Sequence, residues 1–193
     1  MSRSSVFQFL AYALLAGFLC QRAGAADVDG CTHFKWNVSR ELAVMKEIPQ
    51  VIAAAAKPGS EVPQLNVGTL YSLKLTDQAQ VTFPVGPAKT NGAPHAEAGL
   101  VRFRVKRAGR YRISITSGHW VDVVDGTQLV ASVDFQGHVG CERPRKIVEF
   151  DLPAERMLTL QFSGSSDPEV VMAITAVSSA EVIGRSLEAA LRG

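Results

Sequence analysis

Between Leu100 and Thr116 the chain reads LVRFRVKRAGRYRISIT, and this stretch constrains the fold more than any other. Val101, Phe103 and Val105 alternate with Arg102, Arg104 and Lys106, and after Ala108-Gly109 the pattern resumes with Tyr111, Ile113 and Ile115 against Arg110, Arg112 and Ser114. Successive side chains of a strand point to opposite faces, so a period of two predicts a β-hairpin with one apolar and one cationic face. Helical spacing fits none of it.

The same period recurs on both sides. GTLYSLKL and AQVTF precede the hairpin, separated from it by a loop over 84–98 rich in Gly, Pro, Ala and Asn. HWVDVV, QLVASVDF, KIVEFDL, RMLTLQF and EVVMAIT follow, with turns at Asp125-Gly126 and Ser163 to Ser166. About eight short alternating strands joined by turn residues predict an all-β chain, an antiparallel β-sandwich or jelly roll. Ser39 is placed to cap a short N-terminal helix through SRELAVMKEI, which Pro49 ends. The segment QVIAAAAKPGSEVPQLN reads as a connector. The tail over 178–193 reads as an amphipathic helix outside the sandwich, with Val182, Ile183, Leu187 and Leu191 on one side, or as frayed chain.

The first residues combine an early base, Arg3, an apolar run from Val6 to Leu19 broken only by Gln8, and the triplet Ala23-Gly24-Ala25. This is the pattern of a secretory signal peptide over 1–25. The run is shorter than the roughly 20 apolar residues of a membrane span, and Leu19 stands before Cys20 where a lipoprotein signal carries a small residue. Cleavage leaves one β-sandwich domain over 26–177 plus the tail, periplasmic or secreted, with no stable membrane insertion. The full chain has 20 Lys and Arg against 18 Asp and Glu. Arg3 and Arg22 account for the difference, because residues 1–25 hold no acid. A charge-balanced exported chain has no electrostatic case for nucleic acid.

Loss of Cys20 leaves Cys31 and Cys141, which in an oxidising compartment read as one disulfide. This bears on FQGHVGCERPRK, Phe135 to Lys146, whose histidine, cysteine, acid and bases resemble a chemical site. The expected pairing makes the stretch a staple to the N-terminal part of the domain, with closure of a loop of about 110 residues stabilising by about 4–5 kcal/mol.

From Leu100 to Thr175, a strand pair around AGRYRIS is followed by the aromatic-then-acidic WVDVVDG, then by VEFDLPAERMLTLQFSG and an apolar closing strand. This order resembles the pre-peptidase C-terminal type of β-sandwich and related jelly-roll accessory domains of secreted bacterial proteins. The chain after the signal also resembles a small family of uncharacterised exported proteobacterial proteins. The resemblance implies a non-catalytic module, binding a glycan or another protein, and carries over no catalytic residue.

Four sets of residues are candidates for chemistry. His33 and His138 flank the expected bridge and, with His119 or Glu142, are the residues a metal-dependent enzyme or metal carrier would draw on. No H-x-H, H-E-x-x-H or C-x-x-C fixes ligands on one element. A cupin-type dioxygenase needs two close histidines and a glutamate, whereas GHWVDVVDG offers His119 with Asp122 only. No cofactor is therefore expected. For hydrolysis, SITSGHW and QFSGSSD place serines in turns without a G-x-S-x-G elbow. The strip Arg102, Arg104, Lys106, Arg110 and Arg112 has two readings: a surface for acidic polysaccharide or lipopolysaccharide phosphate, or a solvated face partnered by Asp122, Glu149 and Asp151. Finally, if Val121 and Val123 point inward, alternation sends Trp120 outward with Asp122, an aromatic and an acid suited to a sugar ring; the alternatives are that Trp120 covers the sandwich edge or that the register is the opposite one. The leading reading is a binding or accessory module for an envelope polysaccharide or protein, with Trp120, Asp122, Arg102, Arg104 and Arg112 as its surface.

Overall fold

The computed structural model describes residues 28–192; the expected signal peptide and Cys20 lie outside them. A 3-10 turn at Val28–Thr32 leads to helix α1 (Ser39–Val44). Strands β1 (Gln50–Ala53), β2 (Gln64–Leu65), β3 (Leu70–Lys74) and β4 (Thr76–Asp77) follow. After the loop come β5 (Glu97–Arg104), β6 (Gly109–Ile115), β7 (Trp120–Asp125), β8 (Gln128–Val130), β9 (Ser132–Gly137), β10 (Lys146–Leu152), β11 (Met157–Ser165) and β12 (Glu169–Ala176). Helix α2 (Ser179–Arg192) closes the described chain.

The strands form two six-stranded sheets. One has the order β1-β3-β12-β6-β10-β9, the other β2-β5-β11-β7-β8 with β4 also on β5. Between them lies the core that the alternation foretold: Val101, Phe103 and Val105 with Tyr111, Ile113 and Ile115, joined by Val121, Val123, Phe150, Leu158, Leu160, Phe162 and Ile174. Each such side chain removed from water stabilises by about 1.5–3 kcal/mol. The chain is an all-β sandwich with short helices.

The expected hairpin is an arch. β5 pairs with β2, β4 and β11, whereas β6 pairs with β10 and β12 in the opposite sheet. The two apolar sides face each other across the core instead of lying side by side, so the two cationic sides point out of opposite faces. Period two dictates which residues go inward and is silent about which strand lies alongside.

Other expectations shift for equally local reasons. The connector supplies two edge strands, β1 and β2, each parallel to its neighbour, a pairing that no hairpin signal announces. AQVTF is not a strand: Gln78–Gln80 forms a 3-10 turn whose Ala79 N–H bonds Asp77 Oδ1 at 2.9 Å. Helix α1 is shorter than its apolar pattern, and Ser39 lies inside it; Asn37 Oδ1 accepts the Ser39 N–H at 3.0 Å. Cys31 and Cys141 are bonded and pack with Phe34, Trp36, Val38 and Ile147 on the outer side of the first sheet. Among the described residues no helix is long and apolar enough to cross a membrane.

The tail forms the expected helix, α2, outside the sandwich, and it docks by its polar side. Its charged side, Glu181 and Arg185, meets Arg112 on β6 and Glu149 on β10, while Ile183, Leu187 and Leu191 face solvent.

Candidate functional site

The chain crosses between sheets where β8 gives way to β9, and this leaves a flank of the sandwich on which β7, β9 and β10 meet. β7 begins there with Trp120. Alternation sends Val121 and Val123 into the core, as expected, and puts Trp120 and Asp122 on the other face. That face is not open. Asp122 is buried: Oδ1 accepts the Trp120 indole N–H at 2.8 Å, and Oδ2 accepts the Ala88 N–H at 3.1 Å and Gln161 Nε2 at 3.3 Å. Gln161 also donates to the Val85 carbonyl at 3.1 Å. The long loop before β5 is thereby laid over the sheet, which fixes the chain beside Ala88 and brings Lys89 to Trp120.

β9 and β10 form an antiparallel pair with Gly137 opposite Lys146 and Phe135 opposite Val148. Phe135 is on the inward side of an edge strand and has no strand beyond it to cover it, so it is 62% exposed. Lys146 donates to the His119 backbone carbonyl. The ammonium of Lys89 lies 5.5 Å and that of Lys146 6.0 Å from the centroid of the Trp120 ring, within reach of a cation–π attraction. Together with Ser132, Val121 and Val148 these residues enclose a cleft of about 180 Å³. Ligand pockets usually run to about 300–1,000 Å³, so this one has room for a single ring.

Burial, followed by repulsion from Lys89 and Arg145, pushes the Lys146 ammonium down to about 8, against a weaker pull from Asp122. Among the described residues no carboxylate lies within ion-pair distance of either lysine. Wider depressions lie elsewhere, about 510 Å³ beside α2 and about 460 Å³ beside Cys141, but neither is lined by tryptophan. A tryptophan ring approached by two unpaired ammoniums distinguishes the flank cleft.

The other expected site residues are placed apart from it. Arg102 donates to the Val62 and Ser60 carbonyls at 3.1 and 3.0 Å, and Arg104 lies 3.8 Å from Glu155. Arg112 is buried at 1% exposure: Nε donates to Glu149 Oε1 at 2.8 Å, Nη1 to the Asn37 carbonyl at 2.8 Å, with Glu41 at 3.5 Å and Glu181 on Nη2. It also lies 5.0 Å from the Trp36 ring. Arg112 is therefore a structural residue and not a surface one, and the five cations form no strip. The rings of His33 and His138 approach to 5.6 Å beside the bridge. His119 lies with Phe162, edge-on at 6.3 Å, and shares a 2.7 Å hydrogen bond with Ser117 through Nδ1. Among the described residues its Nε2 meets no partner at hydrogen-bonding distance; the Glu97 backbone exerts only a minor pull on the ring's proton. Burial pushes this imidazole down to about 4. Among the described residues no three of His, Cys, Asp and Glu come together to hold a metal ion.

Three members of the cleft escaped the sequence: Lys89, Phe135 and Lys146. Two of them are the ends of FQGHVGCERPRK. Its cysteine is a staple as expected, and the hairpin it belongs to returns Lys146 to the flank that Phe135 occupies. No family model matches the chain, and neither does any curated protein.

Proposed function

We propose that the protein is a non-catalytic binding module of the bacterial cell envelope, and that its ligand is a glycan held at the Trp120 cleft. The observation that carries this reading is the Trp120 ring, fixed by Asp122 at the mouth of a ring-sized cleft. A rigid aromatic face costs little entropy to present and stacks on the apolar face of a sugar. Phe135, exposed and lining the same cleft, supplies a second apolar surface. The Cys31–Cys141 bridge supports export, and with a signal peptide over 1–25 the protein is periplasmic or secreted. Membership of an exported proteobacterial family belongs to the same reading.

The test is a glycan array probed with the exported protein and with Trp120→Ala. Trp120 packs at the rim of the core and not within it, so the variant should keep the fold, checked by circular dichroism, and lose at least tenfold in affinity for whichever glycans bind. An array with no bound glycan, or binding that Trp120→Ala retains, overturns the reading.

A further inference from the structure

We propose that the sugar taken by this cleft is acidic, its anionic substituent lying between Lys89 and Lys146 while its ring packs on Trp120; this rests on the reading of the cleft as a glycan site. Both ammoniums lie within 6.0 Å of one ring centroid, and the charge of Lys89 repels that of Lys146. Arg145 adds a third positive charge to the field at Lys146. The acid that acts on Lys146 is Asp122, and both its oxygens are engaged by Trp120, Ala88 and Gln161. It cannot turn to neutralise the lysines without releasing the loop that positions Lys89. Exposed lysines alone signify nothing, but Lys146 is different. It is drawn out of water against an aromatic ring, with one proton on the His119 carbonyl and the rest uncommitted. An ammonium has three donors.

A cation that is partly withdrawn from water, as Lys146 is, and repelled by Lys89 and Arg145 is unfavourable without a counter-charge. A bound anion relieves the repulsion and gains charge-assisted hydrogen bonds from both lysines. Carboxylate and phosphate share this chemistry, because lysine recognises charge more than shape. The cleft volume of about 180 Å³ limits the buried part to one residue of a chain, with the remainder running over the exposed flank at Phe135.

The experiment titrates the protein with three probes: oligogalacturonate, the same oligomer methyl-esterified, and mannose 6-phosphate. Tryptophan fluorescence reports binding, with Trp120→Phe used to separate Trp120 from buried Trp36. Oligogalacturonate is expected to bind at pH 7 at least tenfold more tightly than its ester, and Lys89→Gln and Lys146→Gln each to weaken it severalfold. Lys89 is exposed on its loop, so its variant keeps the test valid if Lys146→Gln disturbs the fold. Affinity should fall between pH 7 and 9 as Lys146 loses its proton; His119, whose imidazole burial pushes down to about 4, is neutral throughout that window. Preference for mannose 6-phosphate assigns the anion as phosphate. Equal binding of acid and ester overturns the inference and leaves the glycan reading standing. A response to none of the three overturns the inference, and the array then decides the reading separately.

Discussion

Two arginine pairs stand on consecutive strands in nearly the same words, RFR on β5 and RYR on β6, and the fold treats them oppositely. On β5 the arginines edge into solvent: Arg102 reaches two carbonyls of the turn before β2, and Arg104 lies at long range from an exposed Glu155. On β6 the outer face is roofed by α1, α2 and the segment around Trp36. Arg112 is enclosed there with Glu41 and Glu149, themselves 1% and 0% exposed. Arg110, at the rim, makes a two-pronged contact with Asp151, 2.9 Å on each oxygen. An identical strand pattern therefore says nothing of what lies over its polar side. A roof turns the same residue from a solubilising charge into the hub of a buried network.

Removing the hub should have the largest effect among these polar side chains. Arg112→Ala leaves Glu41 and Glu149 buried without their main cation. Breaking a buried ion pair from one side costs about 3–5 kcal/mol, or about 10–15 °C in Tm for a domain of this size. Thermal melting checks it. Arg112→Lys should recover little, since one ammonium cannot serve Glu149, the Asn37 carbonyl and Glu181 from the positions of a planar fork. A melting shift for Arg112→Ala as small as that of the Arg104 variant would break the comparison.

His119 sharpens the same contrast. Like Arg112 it is fully buried, yet among the described residues no carboxylate is bonded to it and Asp167 pulls only weakly against burial; an imidazole can shed its proton where a guanidinium cannot, and this one does, at about 4 against an ordinary 6.5. Between those values the unfolded chain binds a proton that the folded one refuses, so stability is complete above the unfolded value and falls as pH drops. From pH 7 to pH 5 the loss attributable to His119 is about 2 kcal/mol. Denaturant melts at the two pH values, compared with His119→Gln, isolate it; equal pH dependence in both proteins would refute the assignment.

What could be read in advance follows from the range over which each feature is decided. Inward residues such as Val101, Phe103, Ile113 and Val121 were legible because alternation is settled between adjacent residues, and Cys31–Cys141 because two cysteines have one pairing. The pairing of Trp120 with Asp122 was legible as a shared face. The roof over β6 was not, since Leu70 and Ala173 bury their outward side against Val44 and Met45, a contact that depends on where α1 lands. Nor was the seating of α2: its amphipathic pattern announces a helix outside the sandwich but not that Glu181 and Arg185 would meet Arg112 and Glu149 on the sheet. The cleft was least legible of all, assembled from a loop, a strand start and a distant hairpin.

The exposed pair predicts the small end of the scale, and its two members should differ. Arg102 spans from β5 to the Ser60 and Val62 carbonyls and so fastens the turn that delivers β2 to its parallel pairing with Arg102 and Phe103. Arg102→Ala should cost about 1 kcal/mol, the net worth of such hydrogen bonds, read as faster amide exchange at Leu65. Arg104 is about half exposed, and Glu155, its partner at 3.8 Å, more so. The two side chains give up rotamer freedom to hold a pair that water and salt screen, so Arg104→Ala should change stability by less than about 0.5 kcal/mol, and the little it changes should vanish in high salt. A larger cost that persists in high salt would mean that the outer face of β5 is covered as β6 is, and that the contrast between the two strands is not one of exposure.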